Sequence, residues 1–331
     1  MIISKTPFRV SFFGGGTDYP SWVKKHGGAV ISTSIDKYCY ITLRELPPFF
    51  KHKHRIVYSH VETVKEYSEI QHPAVKAIFK RFDLGHGLEM HHDGDLPARS
   101  GLGSSSSFCV GLINAINGLK GKKMNPELLA NEAIYVEQKI LKETVGYQDQ
   151  IASAFGGFNK INFYRDGKFS VEPILIDTKR LEKLQDNLLL FFTGFSRFAS
   201  EIAKEQEKNS KKNETNLFKI KELVDDAEGI LCNSKKNLDD FGSLLNESWI
   251  LKRSLSSSVS NNEIDLIYKK AIKAGAIGGK ILGAGGGGFI LFYVPLSKKI
   301  SVEKALHNLI KVPFRFENAG SKIVLYNPSG F

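Results

Sequence analysis

Cysteine is scarce: three residues in 331, Cys39, Cys109 and Cys232, widely spaced and odd in number. They form neither a disulfide framework nor a metal-ligand pattern, so a reducing compartment, the cytoplasm, is expected. Long apolar runs are missing too. Nothing approaches 18 uninterrupted apolar residues, and the opening MIISKTPFRV carries charge where a signal peptide has its apolar core, so neither a membrane span nor a secretion signal is expected. Zinc-finger and RNP-type patterns are lacking. The net charge of +11 comes from lysines that are spread rather than striped, with much of the excess in 204–221. The expected partners are therefore small molecules, with no nucleic acid and no membrane, and a homo-oligomer is left open. Two familiar nucleotide loops are also absent: no Lys follows the glycines of 101–103 as G-x-x-x-x-G-K-[ST] requires, and G-x-G-x-x-G is not found there.

What is present is a chain long enough for about two domains, with 42% hydrophobic and 24% charged residues, an ordinary globular balance. Residues 96–111 read LPARSGLGSSSSFCVG, a glycine–serine loop running directly into an apolar helical pattern through Cys109, Val110, Leu112, Ile113 and Ile116. Glycine permits positive φ and close approach to a ligand, and any of the first three serines can cap the helix. Such a helix start gathers unpaired N–H groups and the positive end of the dipole, which suits a phosphate chain; a plain linker would not enter a long helix without a break.

Two further glycine-rich segments flank it. Residues 2–13 alternate like a strand and enter Gly14-Gly15-Gly16-Thr17-Asp18-Tyr19-Pro20, a turn followed by a short helix from Pro20. Arg9, between Phe8 and Val10, is either an edge-strand charge or a site residue, and Asp18 is either a turn residue or a ligand contact. Near the other end, Lys280 to Gly288 feed a strand at 289–294, which indicates close backbone approach to another loop. Between them, Asn125-Pro126 starts a helix whose apolar face, Leu129, Ala133, Val136, Ile140 and Leu141, also carries Glu137. A carboxylate there must be paired with a lysine such as Lys139 or Lys142, or hold a metal. Asp149 is open between an N-cap for a short helix over 150–155 and a carboxylate held at a cleft. A buried strand at 187–193 opens a second α+β unit, with helices expected at 198–222, 223–246 and 262–274.

With these segments in this order, the chain resembles the GHMP kinases (galactokinase, homoserine, mevalonate and phosphomevalonate kinases). The first family motif is similar to Pro7-Phe8-Arg9 through Tyr19. The second, P-x-x-x-G-L-G-S-S, is met from Pro97 to Ser105, and the third, K-x-x-G-A-G-G-G-G, at 280–288. The acidic segment is similar at Val136-Glu137, Gly146 and Asp149-Gln150. Galactokinases carry Gly-Glu-His before Thr-Asp-Tyr, whereas glycines stand here. GGGTDYP, together with TGFSRFAS at 193–200, looks more like the D-glycero-D-manno-heptose 7-phosphate kinase branch.

The resemblance implies an α+β, two-domain GHMP kinase fold: an N-terminal domain (1–183) like ribosomal S5 domain 2, and a ferredoxin-like C-terminal domain (184–331). It implies ATP and Mg²⁺ as cofactors and phosphorylation of the anomeric C1 hydroxyl of a sugar 7-phosphate, toward nucleotide-activated heptose for polysaccharide. Pro97, Arg99, Ser100, Gly101, Leu102, Gly103, Ser104, Ser105 and Ser106 would bind ATP, and Ser105 with Glu137 would hold the metal. Asp149 and Arg9 would be catalytic. Gly15, Gly16, Thr17, Asp18 and Arg197 would bind the sugar phosphate, with Arg197 first and Arg99 second for its 7-phosphate. Gly283, Gly285, Gly286 and Gly287 would support the phosphate loop. The alternatives are a fucokinase- or galactokinase-like sugar-1-kinase, or a non-catalytic sugar/ATP sensor on the same fold.

Overall fold

The computed structural model describes residues 1–98, 100–194, 199–210 and 212–328, the side chains of 199 and 200 excepted. The chain begins with strand β1 (Ile2–Phe13), the glycine turn, helix α1 (Pro20–His26) and the long strand β2 (Gly28–Glu45). Then come β3 (His54–Val57), β4 (Val61–Val64), α2 (Pro73–Arg81) and β5 (Leu88–Gly94). The glycine–serine loop leads into α3 (Ser104–Leu119), followed by α4 (Pro126–Tyr135), α5 (Gln148–Phe155), β6 (Phe158–Phe163), β7 (Phe169–Pro173) and α6 (Thr178–Asp186).

A second unit opens on β8 (Leu188–Phe192) and continues through α7 (Ala199–Lys208), α8 (Glu214–Cys232), α9 (Asp239–Ser254), α10 (Asn262–Ala274), β9 (Gly278–Ile281), β10 (Phe289–Tyr293), α11 (Lys299–Ala305) and β11 (Ile310–Lys311). Two last strands, β12 (Phe316–Glu317) and β13 (Lys322–Tyr326), finish the chain. Where a single helix is expected over 198–222 there are two, α7 ending at Lys208 and α8 beginning at Glu214.

Among the described residues two sheets form. The first has nine strands in the order β13-β1-β2-β5-β3-β4, with β6 and β12 also on β2 and β7 on β6; the second is β11-β8-β10-β9. β2 serves several partners because it is 18 residues long: its first half pairs with β6 and its second with β5, while β1 runs antiparallel along it. The expected boundary at residue 183 falls inside α6, and β12 and β13 return to the first sheet, β13 pairing with β1. Sheet membership therefore does not follow chain order.

α3 is buried on every side from 106 to 118, because it runs through the core against β1, β2 and α5. Its position under the first sheet fixes where its N-terminus points. The two units meet where Phe12 and Phe13 of β1 pack edge-on against Phe241 of α9, at 5.4 and 5.1 Å between ring centroids. All three rings are fully buried, a contribution of about 1.5–3 kcal/mol each.

Candidate active site

The glycine–serine loop is shaped by two residues that only glycine suits. Gly101 has φ +88° and Gly103 φ +76°, the latter acting as the N-cap of α3 in place of the expected serine. A Cβ on Gly101 would lie 2.4 Å from the carbonyl oxygen of Leu282, and one on Gly283 would lie 2.5 Å from Gly101 Cα. Gly288 is held equally close to Ser100, and the amide of Phe289 donates to Ser100 O at 3.1 Å. The glycine–serine loop and the third glycine segment therefore touch backbone to backbone, as the sequence suggests for 280–288. The contact is made by Gly283 and Gly288. Gly285 and Gly286 lean instead on Val259, whose carbonyl accepts from the Gly286 amide at 2.9 Å, and Gly287 adopts φ +150°.

In front of this loop lies a cleft of about 520 Å³. Its walls include Gly101, Gly103 and Ser104 to Ser106 on one side, and Gly15, Gly16, Asp18 and Tyr19 on another. Arg9, Gln148 and Asp149 stand between them. Arg9 emerges from β1 with its side chain 3% exposed and makes a two-pronged pair with Asp149, Nε to Oδ1 at 2.8 Å and Nη2 to Oδ2 at 2.7 Å. Its remaining nitrogen donates to Gly101 O at 2.7 Å. One planar fork thus joins the carboxylate to the phosphate loop. Asp149 is in the first turn of α5, is not its cap, and lines the cleft.

Asp18 faces the same space. It accepts from the amides of Gly16 (3.1 Å) and Gln148 (3.4 Å), and Gly146 lets it come close, since a Cβ there would sit 1.8 Å from Asp18 Oδ2. Burial, reinforced by the charge of Asp149, pushes its carboxyl up to about 6.

Glu137 lies behind the helix start. The expected continuous helix ends at Tyr135 and widens into a π-turn, Val136–Ile140, which swings Ile140 outward and leaves Glu137 completely buried. Its Oε2 accepts from Ser106 Oγ at 2.8 Å and from Gln150 Nε2, while Oε1 has no hydrogen-bond partner among the described residues. Burial pushes this carboxyl up to about 7, against the opposing pull of Gln150 and Ser106. The serine at Glu137 is Ser106 and not Ser105: Ser105 is exposed at the cleft wall, one residue out of phase on the helix.

Other expected site residues take supporting places. Thr17 is buried and spends its hydroxyl on the carbonyls of Gly14 (2.8 Å) and Ala29 (3.0 Å), so it shapes the turn and does not reach the cleft. Leu102 is core, tied to β1 by its carbonyl accepting from the Arg9 amide, while Ser100 is buried and Pro97 exposed; none of the three lines the cleft wall. Arg99 and Arg197 lie outside the described residues.

Two lysines were not foreseen as site residues. Lys252, on α9, donates to the carbonyls of Ile281 (3.0 Å) and Gly283, and burial with the nearby Arg9 pulls its pKa down to about 7. Lys280 donates to Phe12 O at 2.6 Å, and burial lowers its pKa strongly. Both line the cleft. Lys280 is the first residue of the third glycine segment, a signal that was visible; a lysine in an amphipathic helix, as Lys252 is, carries none.

A glycine-cradled helix start, an arginine-clamped aspartate and a second acid across a cleft between two α+β units define a phosphotransferase of the GHMP type. The family's models match in both halves, GHMP kinases N terminal domain at 66–157 and GHMP kinases C terminal at 228–312. The chain belongs to the GHMP kinases, and as such it is an ATP-dependent kinase. It is similar to the D-glycero-alpha-D-manno-heptose 7-phosphate kinase of Campylobacter jejuni, 32% identical over 92% of this chain and 93% of that one. The crystal structure of a D-glycero-D-manno-heptose 1-phosphate kinase from Bacteroides thetaiotaomicron is similar at 25% identity, with TM-score 0.80 over 97% of this chain and 98% of the other. The fold is shared with Methanococcus jannaschii mevalonate kinase, at 23% identity, TM-score 0.72 and coverage of 96% and 98%. No helix among the described residues is long and apolar enough to cross a membrane.

Proposed function

We propose that this kinase transfers the γ-phosphoryl group of ATP to the C1 hydroxyl of D-glycero-D-manno-heptose 7-phosphate, giving the 1,7-bisphosphate. The observation that carries the reading is the Arg9 fork, which ties Asp149 to the backbone of the phosphate loop and so sets an acceptor-activating carboxylate beside the place where a triphosphate would end. The likeness to the Campylobacter kinase supports the choice of sugar. The two heptose kinases are named for different phosphate positions, so the position is part of the proposal.

Phosphoryl transfer depends on alignment and charge neutralisation more than on covalent help. The amides at Gly103 to Ser106 and the dipole of α3 would hold the β- and γ-phosphates. Asp149 would accept a hydrogen bond from the C1 hydroxyl and take its proton as that oxygen bonds to the γ-phosphorus and the bond to ADP breaks. Arg9 keeps Asp149 oriented and adds positive charge at the transferring group. The anomeric hydroxyl is more acidic than an ordinary alcohol, which lightens the demand on the base. Asp18 and the Gly15–Gly16 backbone would seat the other sugar hydroxyls.

Among the described residues no group of three or more His, Cys, Asp or Glu gathers, so a cation here would rely on few protein ligands plus phosphate oxygens. The partnerless, buried Glu137 Oε1 with the hydroxyl of Ser106 suits Mg²⁺, a hard cation that takes one or two protein oxygens and keeps phosphates as the rest. When bound, Mg²⁺ neutralises phosphate charge.

The test is ADP release from ATP over a panel of heptose 7-phosphate, heptose, galactose, fucose and mevalonate. Heptose 7-phosphate should give the highest kcat/KM; preference for an unphosphorylated sugar would overturn the choice of acceptor, and no turnover with any would favour a sensor.

A further inference from the structure

A phosphorylated sugar brings a dianion that needs its own cation, and most of the cleft's positive charge is already committed. Arg9 is spent on Asp149 and Gly101, and the buried Lys252 and Lys280 are spent on backbone carbonyls. Two lysines in the cleft wall, Lys142 and Lys204, are exposed and have no hydrogen-bond or ion-pair partner among the described residues.

They stand on different elements. Lys142 holds φ +55° in the loop after the π-turn, beside Glu143, whose amide donates to Glu137 O at 2.9 Å; it therefore adjoins the segment that carries Glu137. Lys204 is on α7. That helix covers the first glycine turn: Ala203, Lys204 and Gln206 face the main cleft, while Gln206 and Glu207 share a second, smaller cleft with Gly16, Tyr19 and Trp22. Gln206 also fixes α7 to the third glycine segment by donating to Ala284 O at 2.8 Å. Lys204 consequently overlooks the turn that carries Asp18, at the acceptor end.

We infer that Lys204 is the specificity-determining cation for the phosphate monoester of the acceptor, an inference that rests on the heptose 7-phosphate reading. An ammonium on a flexible stem is a point charge that can follow a phosphate at the end of a sugar chain, and it makes the cleft prefer a phosphorylated acceptor over the same sugar without phosphate.

The experiment measures kcat/KM of the full-length enzyme for D-glycero-D-manno-heptose 7-phosphate and for free D-glycero-D-manno-heptose at saturating ATP, in wild type, Lys204→Met and Lys204→Arg. Lys204→Met should lower the ratio of the two kcat/KM values by about tenfold or more, with the loss falling on KM for the sugar phosphate and not on KM for ATP, and Lys204→Arg should recover most of it. Lys204 is exposed, so the variants keep the fold, which matching melting temperatures verify. A wild-type enzyme that uses heptose 7-phosphate, with an unchanged ratio in Lys204→Met, overturns the role of Lys204 alone. A rise in KM for ATP instead assigns the lysine to the nucleotide and overturns it too. A wild type that ignores heptose 7-phosphate overturns the substrate reading and this inference together.

Discussion

Replacing Gly101 by alanine should disable the nucleotide site from behind, without removing any group that touches ATP. The residue has φ +88°, where an L side chain costs about 1–2 kcal/mol. The added Cβ would meet Leu282 O at 2.4 Å, roughly 1 Å inside ordinary contact, and both partners are backbone in tight turns, so the phosphate loop must shift by about that much. The shift carries along the Gly101 carbonyl that receives Arg9, and with it the orientation of Asp149. A 1 Å misplacement costs on the order of 100-fold, or about 2.7 kcal/mol of transition-state stabilisation. Coupled measurement of ADP release against ATP concentration should show that fall in kcat/KM, together with a lowered melting temperature. Gly15→Ala is the contrast: its Cβ would have only Ser11 Oγ at 3.8 Å and no positive φ to strain, so its melting temperature should match wild type. A Gly101→Ala enzyme within about threefold of wild-type kcat/KM would refute the idea that contact between the two glycine segments aligns the loop.

Glu137→Gln should raise the Mg²⁺ concentration needed for half-maximal rate by about tenfold or more, since it removes the charge from a buried carboxylate oxygen that has no partner among the described residues. An unchanged metal requirement, read by titrating Mg²⁺ at fixed ATP, would make Glu137 a structural partner of Ser106 and Gln150. Asp18 supplies a pH signature. Its carboxyl is raised to about 6 in the folded chain from an ordinary value near 4, so the folded state binds the extra proton between those values. Its contribution to stability is therefore favourable at low pH and is lost as pH rises from about 4 to about 6, by roughly 1–3 kcal/mol. Melting of Asp18→Asn alongside wild type should show the variant gaining relative stability over that window and no further above it; a difference that is flat with pH would contradict the assignment.

The glycine segments carried most of the legible information. Glycine at a forced positive φ or a backbone contact leaves a mark in the sequence because no other residue fits, and 14–16, 101–103 and 283–288 all mark the cleft. Arg9 and Asp149 were legible only as alternatives, since the bond joining them spans 140 positions and no local pattern encodes it. The phase of Ser106 against Ser105 depended on the helix beginning at Gly103 rather than at a serine, a one-residue difference that rotates a side chain by about 100°. Thr17 looked like a sugar contact and proved a turn brace, because its hydroxyl reaches two carbonyls first. The return of β13 to β1 and the burial of Lys252 are tertiary facts with no local signature.

The central claim, that Asp149 acts on the acceptor while the phosphate loop binds ATP independently, is tested most directly by Asp149→Asn. Turnover of heptose 7-phosphate should fall by about 10²–10⁴-fold, while the dissociation constant for ATP, measured by calorimetry on the same preparation, stays within about threefold of wild type. Near-normal turnover in that variant would contradict the account.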